Sequence, residues 1–140
     1  MKRTIATAFL AVATMFTSGN APAQNSAVQV TVPFNFAVGN TVLPSGTYIV
    51  NSESPQQVLI RNKDHWKLAS MVLTNQGDPQ YAGEGKLVFN RYGNEYFLSE
   101  IRCPSAAIIA DLPTSKREER ARTREEASLE QPEQVLLALR

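Results

Sequence analysis

This chain has few of the residues that carry chemistry. Its 140 residues contain one cysteine, one histidine and one tryptophan. With Cys103 alone, no internal disulfide can form; placed before Pro104 at the end of an apolar strand, the thiol is expected to be buried. A metal centre needs three or four ligands. His65 and Cys103 leave only carboxylates to complete one, and Asp64, Asp78 and Asp111 lack the dense loop spacing of a calcium site. No metal and no cofactor are expected. His65 stands beside Asp64, but neighbours on a strand point to opposite faces and no serine or cysteine sits in a nucleophile motif. It reads as a turn histidine. Gly83-Glu84-Gly85-Lys86 lacks the length and the Ser/Thr of a phosphate loop and precedes a strand where that loop needs a helix. Glu118 and Glu119 lie on a charged helix read as a solvated face, which offers no setting for acid catalysis. The expectation is a protein that is not an enzyme, with no catalytic, cofactor-binding or metal-binding residue.

A surplus of charge of one sign is also missing. The formal net charge is +1, too small for the basic face that neutralises phosphates, so nucleic acid is not an expected partner. No apolar run reaches the roughly 20 residues that span a bilayer. The longest, Ile5 to Phe16, follows Lys2 and Arg3 and precedes Ala21-Pro22-Ala23. That order, a positive n-region, an apolar h-region and an A-x-A-like site, is that of a signal peptide over residues 1–23. No stable membrane anchor is expected. The chain is read as exported, to the periplasm or outside the cell, with Gln24 as its first mature residue. Removing Lys2 and Arg3 with no acid turns the net charge from +1 to −1.

What remains is one domain's worth of chain, and it reads as β. Val28, Val30, Val32, Phe34, Phe36 and Val38 alternate with Gln29, Thr31, Asn35 and Ala37, the period of a long half-buried strand. Turns follow at Gly39-Asn40 and at Leu43-Pro44-Ser45-Gly46, and Thr47 to Asn51 returns against the first strand. Val58 to Arg61 is a short strand. Trp66 to Thr74 is a longer one, apolar on both faces, which points to a strand covered on both sides or bulged. Asn75 to Gly85 is the longest loop, with Tyr81 its one large side chain. Lys86 to Tyr92 and Glu95 to Cys103 form a hairpin around Gly93-Asn94. Its register sets Phe89 against Leu98 and Arg91 against Tyr96, with Val88, Phe97 and Ile101 opposite. Ala106 to Leu112 adds a last strand. Trp66, Tyr81, Tyr92 and Tyr96 are read as core and rim. The fold class is all-β, a small antiparallel barrel or sandwich of six to seven strands over residues 24–113.

From Thr114 the composition changes. Ser115-Lys116-Arg117-Glu118 matches a capping box, and residues 114–140 form a charged helical C-terminal segment. Its apolar residues Ala121, Ala127 and Leu129 are too few for a burying stripe. Pro132 interrupts it, and Val135 to Leu139 closes it with a compact apolar run. A helix-ready segment without its own face to bury fits one that orders on a protein partner or on a second copy.

Four motifs stand in order along the chain: Val32-Pro33-Phe34-Asn35-Phe36, Leu43-Pro44-Ser45-Gly46-Thr47-Tyr48, Tyr92-Gly93-Asn94-Glu95-Tyr96-Phe97-Leu98 and Leu112-Pro113-Thr114-Ser115-Lys116-Arg117-Glu118. This V-P-F-x-F, L-P-x-G-x-Y, Y-G-x-x-Y-F-L, L-P-x-S-K-x-E layout resembles a family of small uncharacterised exported bacterial proteins. The resemblance brings no activity with it. It implies that the Leu112 to Arg120 junction belongs to the domain. The leading functional expectation is therefore a non-catalytic envelope or periplasmic β-domain that binds a partner or a surface assembly. The alternative is a small barrel carrying an apolar ligand.

Overall fold

The computed structural model describes residues 27–78, 80, 83–128 and 133–139; the expected signal peptide and Tyr81 lie outside them. Among the described residues two curled sheets enclose one core, and one α-helix lies on the second sheet. The strands are β1 (Ala27–Val32), β2 (Phe36–Val38), β3 (Thr41–Leu43), β4 (Gly46–Ser54), β5 (Gln57–Asn62), β6 (Ala69–Leu73), β7 (Asn75–Gln76), β8 (Lys86–Tyr92), β9 (Glu95–Cys103), β10 (Ile108–Asp111) and β11 (Glu133–Ala138). Helix α1 is Lys116–Ser128. The first sheet has the order β1-β4-β5-β6. The second runs β11-β8-β9-β10-β7, with β2 on β9 and β3 on β2. All pairings are antiparallel except the single β2–β9 contact, Ala37 with Phe97.

An all-β sandwich or barrel with a C-terminal helix is what the sequence implies, but among the described residues eleven short strands replace six or seven longer ones. The main reason is bending. The alternating run from Val28 to Val38 is not one strand: Pro33 offers no N–H to a ladder, and the chain bends over Pro33–Asn35 from the first sheet into the second. The apolar phase survives the bend, so Val30, Val32, Phe36 and Val38 are all buried while Phe34 packs on the core from its rim. A second corner falls at Thr74, between β6 and β7, and again carries the chain from one sheet to the other. Its hydroxyl-bearing side chain is only 5% exposed.

Tyr48 locks the core. Its ring is wholly buried, meets Phe36 edge-on at 5.1 Å, and its Oη–H donates to the Pro44 carbonyl at 2.6 Å. A tyrosine hydroxyl reaching back to the backbone a few residues upstream pins a corner in other β-sandwiches. Burial, outweighing the Asn62 side-chain hydrogen bond that pulls the other way, raises its pKa above 10.0.

The β8–β9 hairpin has the expected register, Phe89 opposite Leu98 and Arg91 opposite Tyr96. Gly93 sits at φ +58°, the left-handed conformation that primed turns demand. One face assignment differs. A register shift between Val88 and Phe89 turns Ile101 to the side of Leu87, Phe89 and Leu98, so it joins the main core, while Phe97 faces the helix.

The C-terminal segment also differs from its expected isolation. Ser115 Oγ accepts from the Glu118 N–H at 3.1 Å, the serine half of a capping box. Glu118 Oε1, however, accepts from Asn90 Nδ2 of β8 at 2.9 Å. Glu118, Ala121 and Glu125 are buried, and Ala121 packs with Ala37, Phe97 and Tyr92. A narrow face of one alanine and two acids escapes a search for an apolar stripe. The Glu118 carboxylate buries by accepting from Asn90 of the sheet, while Glu125 Oε2 is buried with no hydrogen-bond partner among the described residues. The last apolar run is a strand, β11, paired with β8 over six residues. Val135, Leu137 and Leu139 pack on the domain's own core.

Candidate functional site

The residues first weighed for chemistry are scattered. His65 lies exposed in the β5–β6 connection; its backbone N–H donates to Asn62 Oδ1 at 2.9 Å. Cys103 is buried at the end of β9, its Sγ 3.3 Å from Ser105 Oγ. Asp111 pairs with Arg102 at 2.6 Å, and Glu100 holds the same guanidinium at 3.0 Å. The register places Asp111 opposite Glu100 and Ile109 opposite Arg102, so this is an ion cluster within one ladder. Among the described residues no three His, Cys, Asp or Glu side chains come close enough to hold a metal ion. Gly85 accepts at its carbonyl from the Leu139 N–H at 2.8 Å and leads directly into β8.

The four sequence motifs meet one another. Phe34 of the first stacks on Tyr96 of the third at 4.0 Å, and Phe36 meets Tyr48 of the second. The Ser45 N–H of the second donates to Asn35 Oδ1 of the first at 2.9 Å. Glu95 of the third binds Arg117 of the fourth at 2.9 Å, and Arg124 beyond it at 2.6 Å. These are joints of the fold. Tyr92 belongs to the same joint: burial, with Glu118, raises its pKa above 10.0 against the pull of Arg122.

Among the described residues two surfaces stand out for binding. One is a crevice of about 620 Å³ at the Thr74 corner, lined among others by Ser52, Ser54, Val58, Gln76 and Ile108. Thr74 Oγ1 is buried there and has no hydrogen-bond partner among the described residues.

The other is the outer face of the first sheet. Pairing aligns Leu59 with Met71, Gln57 with Leu73 and Arg61 with Ala69, and these side chains point away from the buried set Val58, Ile60 and Ser70. Helix α1 lies over the second sheet, whereas the β6 side of this face is open. Met71 is 59% and Leu73 64% exposed. The expectation that residues 66–74 form a strand covered on both sides or bulged is therefore corrected: β6 is shorter, its pairing with β5 shows no register shift, and one of its apolar faces is open. Trp66 is also misplaced by the sequence reading. It belongs to the β5–β6 connection, not to the strand or the core, and at 72% it is the most exposed large apolar side chain of the described residues. The signal that could have found it is its position just after Asn62-Lys63-Asp64, a turn cluster.

That connection is tightly built. The Asn62 N–H donates to the Leu68 carbonyl and the Lys63 N–H to the Thr47 carbonyl, both at 2.8 Å. Asn62 Oδ1 accepts from the N–H groups of Asp64 and His65. Gly46 is needed beside it, since a Cβ there would stand 2.9 Å from Asn62 Nδ2. Comparisons with protein families, curated proteins and solved structures find no match for this chain.

Proposed function

We propose that this is a non-catalytic exported β-domain of the cell envelope that binds a partner or surface assembly through the outer face of its first sheet. One observation carries the reading: the second sheet has its helix, while the first leaves Trp66, Met71 and Leu73 in the open. Met71 and Leu73 share the outer face of β6, and Trp66 stands in the connection that leads into it. Clustered exposed apolar residues mark interaction sites more often than chance, and tryptophan is enriched where binding energy concentrates. The earlier placement of partner binding in residues 114–140 loses its motive, because that segment is packed on its own sheet. A second reading, a carrier of a small apolar ligand, is favoured by the crevice and its buried Thr74 hydroxyl.

The test is fractionation of cells expressing the full chain. Wild-type protein should be recovered with the envelope fraction and begin at Gln24. A Trp66→Ser, Met71→Ser, Leu73→Ser triple variant should be exported, folded and released into the soluble fraction. Equal retention of the two proteins would defeat the proposal.

A further inference from the structure

The outer face of the first sheet has a chemical character that narrows its occupant. Residues 61–67, Arg-Asn-Lys-Asp-His-Trp-Lys, carry three cations and one acid. Arg61, Lys63 and Lys67 are exposed and join no ion pair with another described residue. Lys67 Nζ lies 5.7 Å from the centre of the Trp66 ring, within reach of its π-face. The cations are local: after export the whole chain is near neutral at −1. On the adjoining face, Leu59, Met71 and Leu73 supply apolar surface, and the paired positions of β5 and β6 that share it carry no carboxylate.

From this charge complementarity we infer that the β5–β6 connection and the neighbouring outer face of β6 bind an anionic lipid surface, peripherally. The inference rests on the binding face proposed above and names its partner. Tryptophan concentrates at the membrane–water boundary, where an apolar ring with a polar N–H is best accommodated. Lysine stems lie along apolar surface while their ammonium groups reach the phosphates. The connection's backbone is fixed by Asn62 and Thr47, so the ring is presented without ordering a loop, which lowers the entropic penalty of docking. The fluid lipid boundary also needs none of the pocket-to-knob fit that a protein partner would impose. Such a partner with an acidic rim is the competing occupant.

The full chain provides its own probe, because Trp66 is the one tryptophan. Purified mature protein is titrated with vesicles of phosphatidylcholine alone and with vesicles of equal parts phosphatidylcholine and phosphatidylglycerol, at low and at physiological salt. Trp66 emission should shift to the blue on the anionic vesicles and be quenched by brominated acyl chains. Affinity should be at least ~10-fold above that for the zwitterionic vesicles, as expected for cations near an anionic surface, and fall with salt. The Lys63→Gln, Lys67→Gln double variant, altered only on the surface, should lose that preference. Unchanged emission on anionic vesicles, equal binding to both compositions, or a preference that survives the double variant would each overturn the inference. If vesicle binding fails while envelope retention still depends on Trp66, Met71 and Leu73, the lipid inference falls and a protein partner takes its place. If retention is also independent of them, the binding face falls too.

Discussion

Replacing Tyr48 with phenylalanine isolates one hydrogen bond of the core. The ring is wholly buried and its edge-on contact with Phe36 is made by carbon atoms that phenylalanine retains. What is lost is the 2.6 Å bond from Oη–H to the Pro44 carbonyl and the hydroxyl's interaction with the Asn62 side chain. Pro44 is exposed, so its carbonyl can turn to water and the loss stays near the net value of a hydrogen bond, about 1–1.5 kcal/mol. Tyr48→Ala also removes the ring and should cost about 3–5 kcal/mol, by analogy with other buried aromatics. Against a total of about 5–15 kcal/mol, the first variant remains folded and the second is marginal. Urea titration followed by far-UV circular dichroism is the suitable assay, since Trp66 is already in water and reports little on unfolding. The midpoint of Tyr48→Phe should fall modestly with an unchanged slope. No fall at all, or one as large as that of Tyr48→Ala, would refute the assignment of the hydroxyl as the corner's lock.

Four further outcomes follow from the packing. The phenols of Tyr48 and Tyr92 titrate above 10.0 when folded, so above about pH 10 the unfolded chain sheds protons that the folded one keeps. Their contribution is fully present below that pH and is lost as pH climbs through the folded values; urea midpoints should fall in this window, less steeply in Tyr48→Phe. Cys103, 2% exposed, should resist a thiol reagent in the native protein and react with one equivalent after denaturation. Glu118→Ala breaks the buried link to Asn90 and should lower stability by about 1.5–3 kcal/mol, the range for a hydrogen bond to a charged group. Deleting residues 114–140 removes both α1 and the β8 partner β11, and should destabilise the domain far more; a truncated domain as stable as the full chain would contradict the observed packing.

The local signals of the fold were readable, and their tertiary use was less so. Gly93-Asn94 and the alternation around it fixed the β8–β9 hairpin and its register, because a two-residue turn leaves little freedom. The alternation from Val28 to Val38 identified the core residues, yet it is the same for a straight strand and for one that bends at Pro33 and keeps its phase. Helix α1 was legible from its cap, and its docking was not: a face of Glu118, Ala121 and Glu125 has no apolar period, and Asn90, its partner, is 28 residues away. Trp66 shows the opposite failure. Apolar content pointed inward, whereas the Asn62 N–H bound to the Leu68 carbonyl and the Asn62 Oδ1 accepting from the N–H groups of Asp64 and His65 shape a connection that leaves the ring outside.

Oxidative footprinting on cell envelopes tests the central claim most directly. Trp66 is the only tryptophan, and Met71 is the only methionine outside the expected signal peptide, so oxidation at tryptophan and oxidation at methionine each read one position of the proposed surface. Purified protein should oxidise rapidly at both, given exposures of 72% and 59%. In intact envelopes, both should be protected severalfold while exposed Leu136 on β11 is modified as fast as in the free protein. Equal oxidation of Trp66 and Met71 in envelopes and in solution would show that this face stays in water and contradict the account.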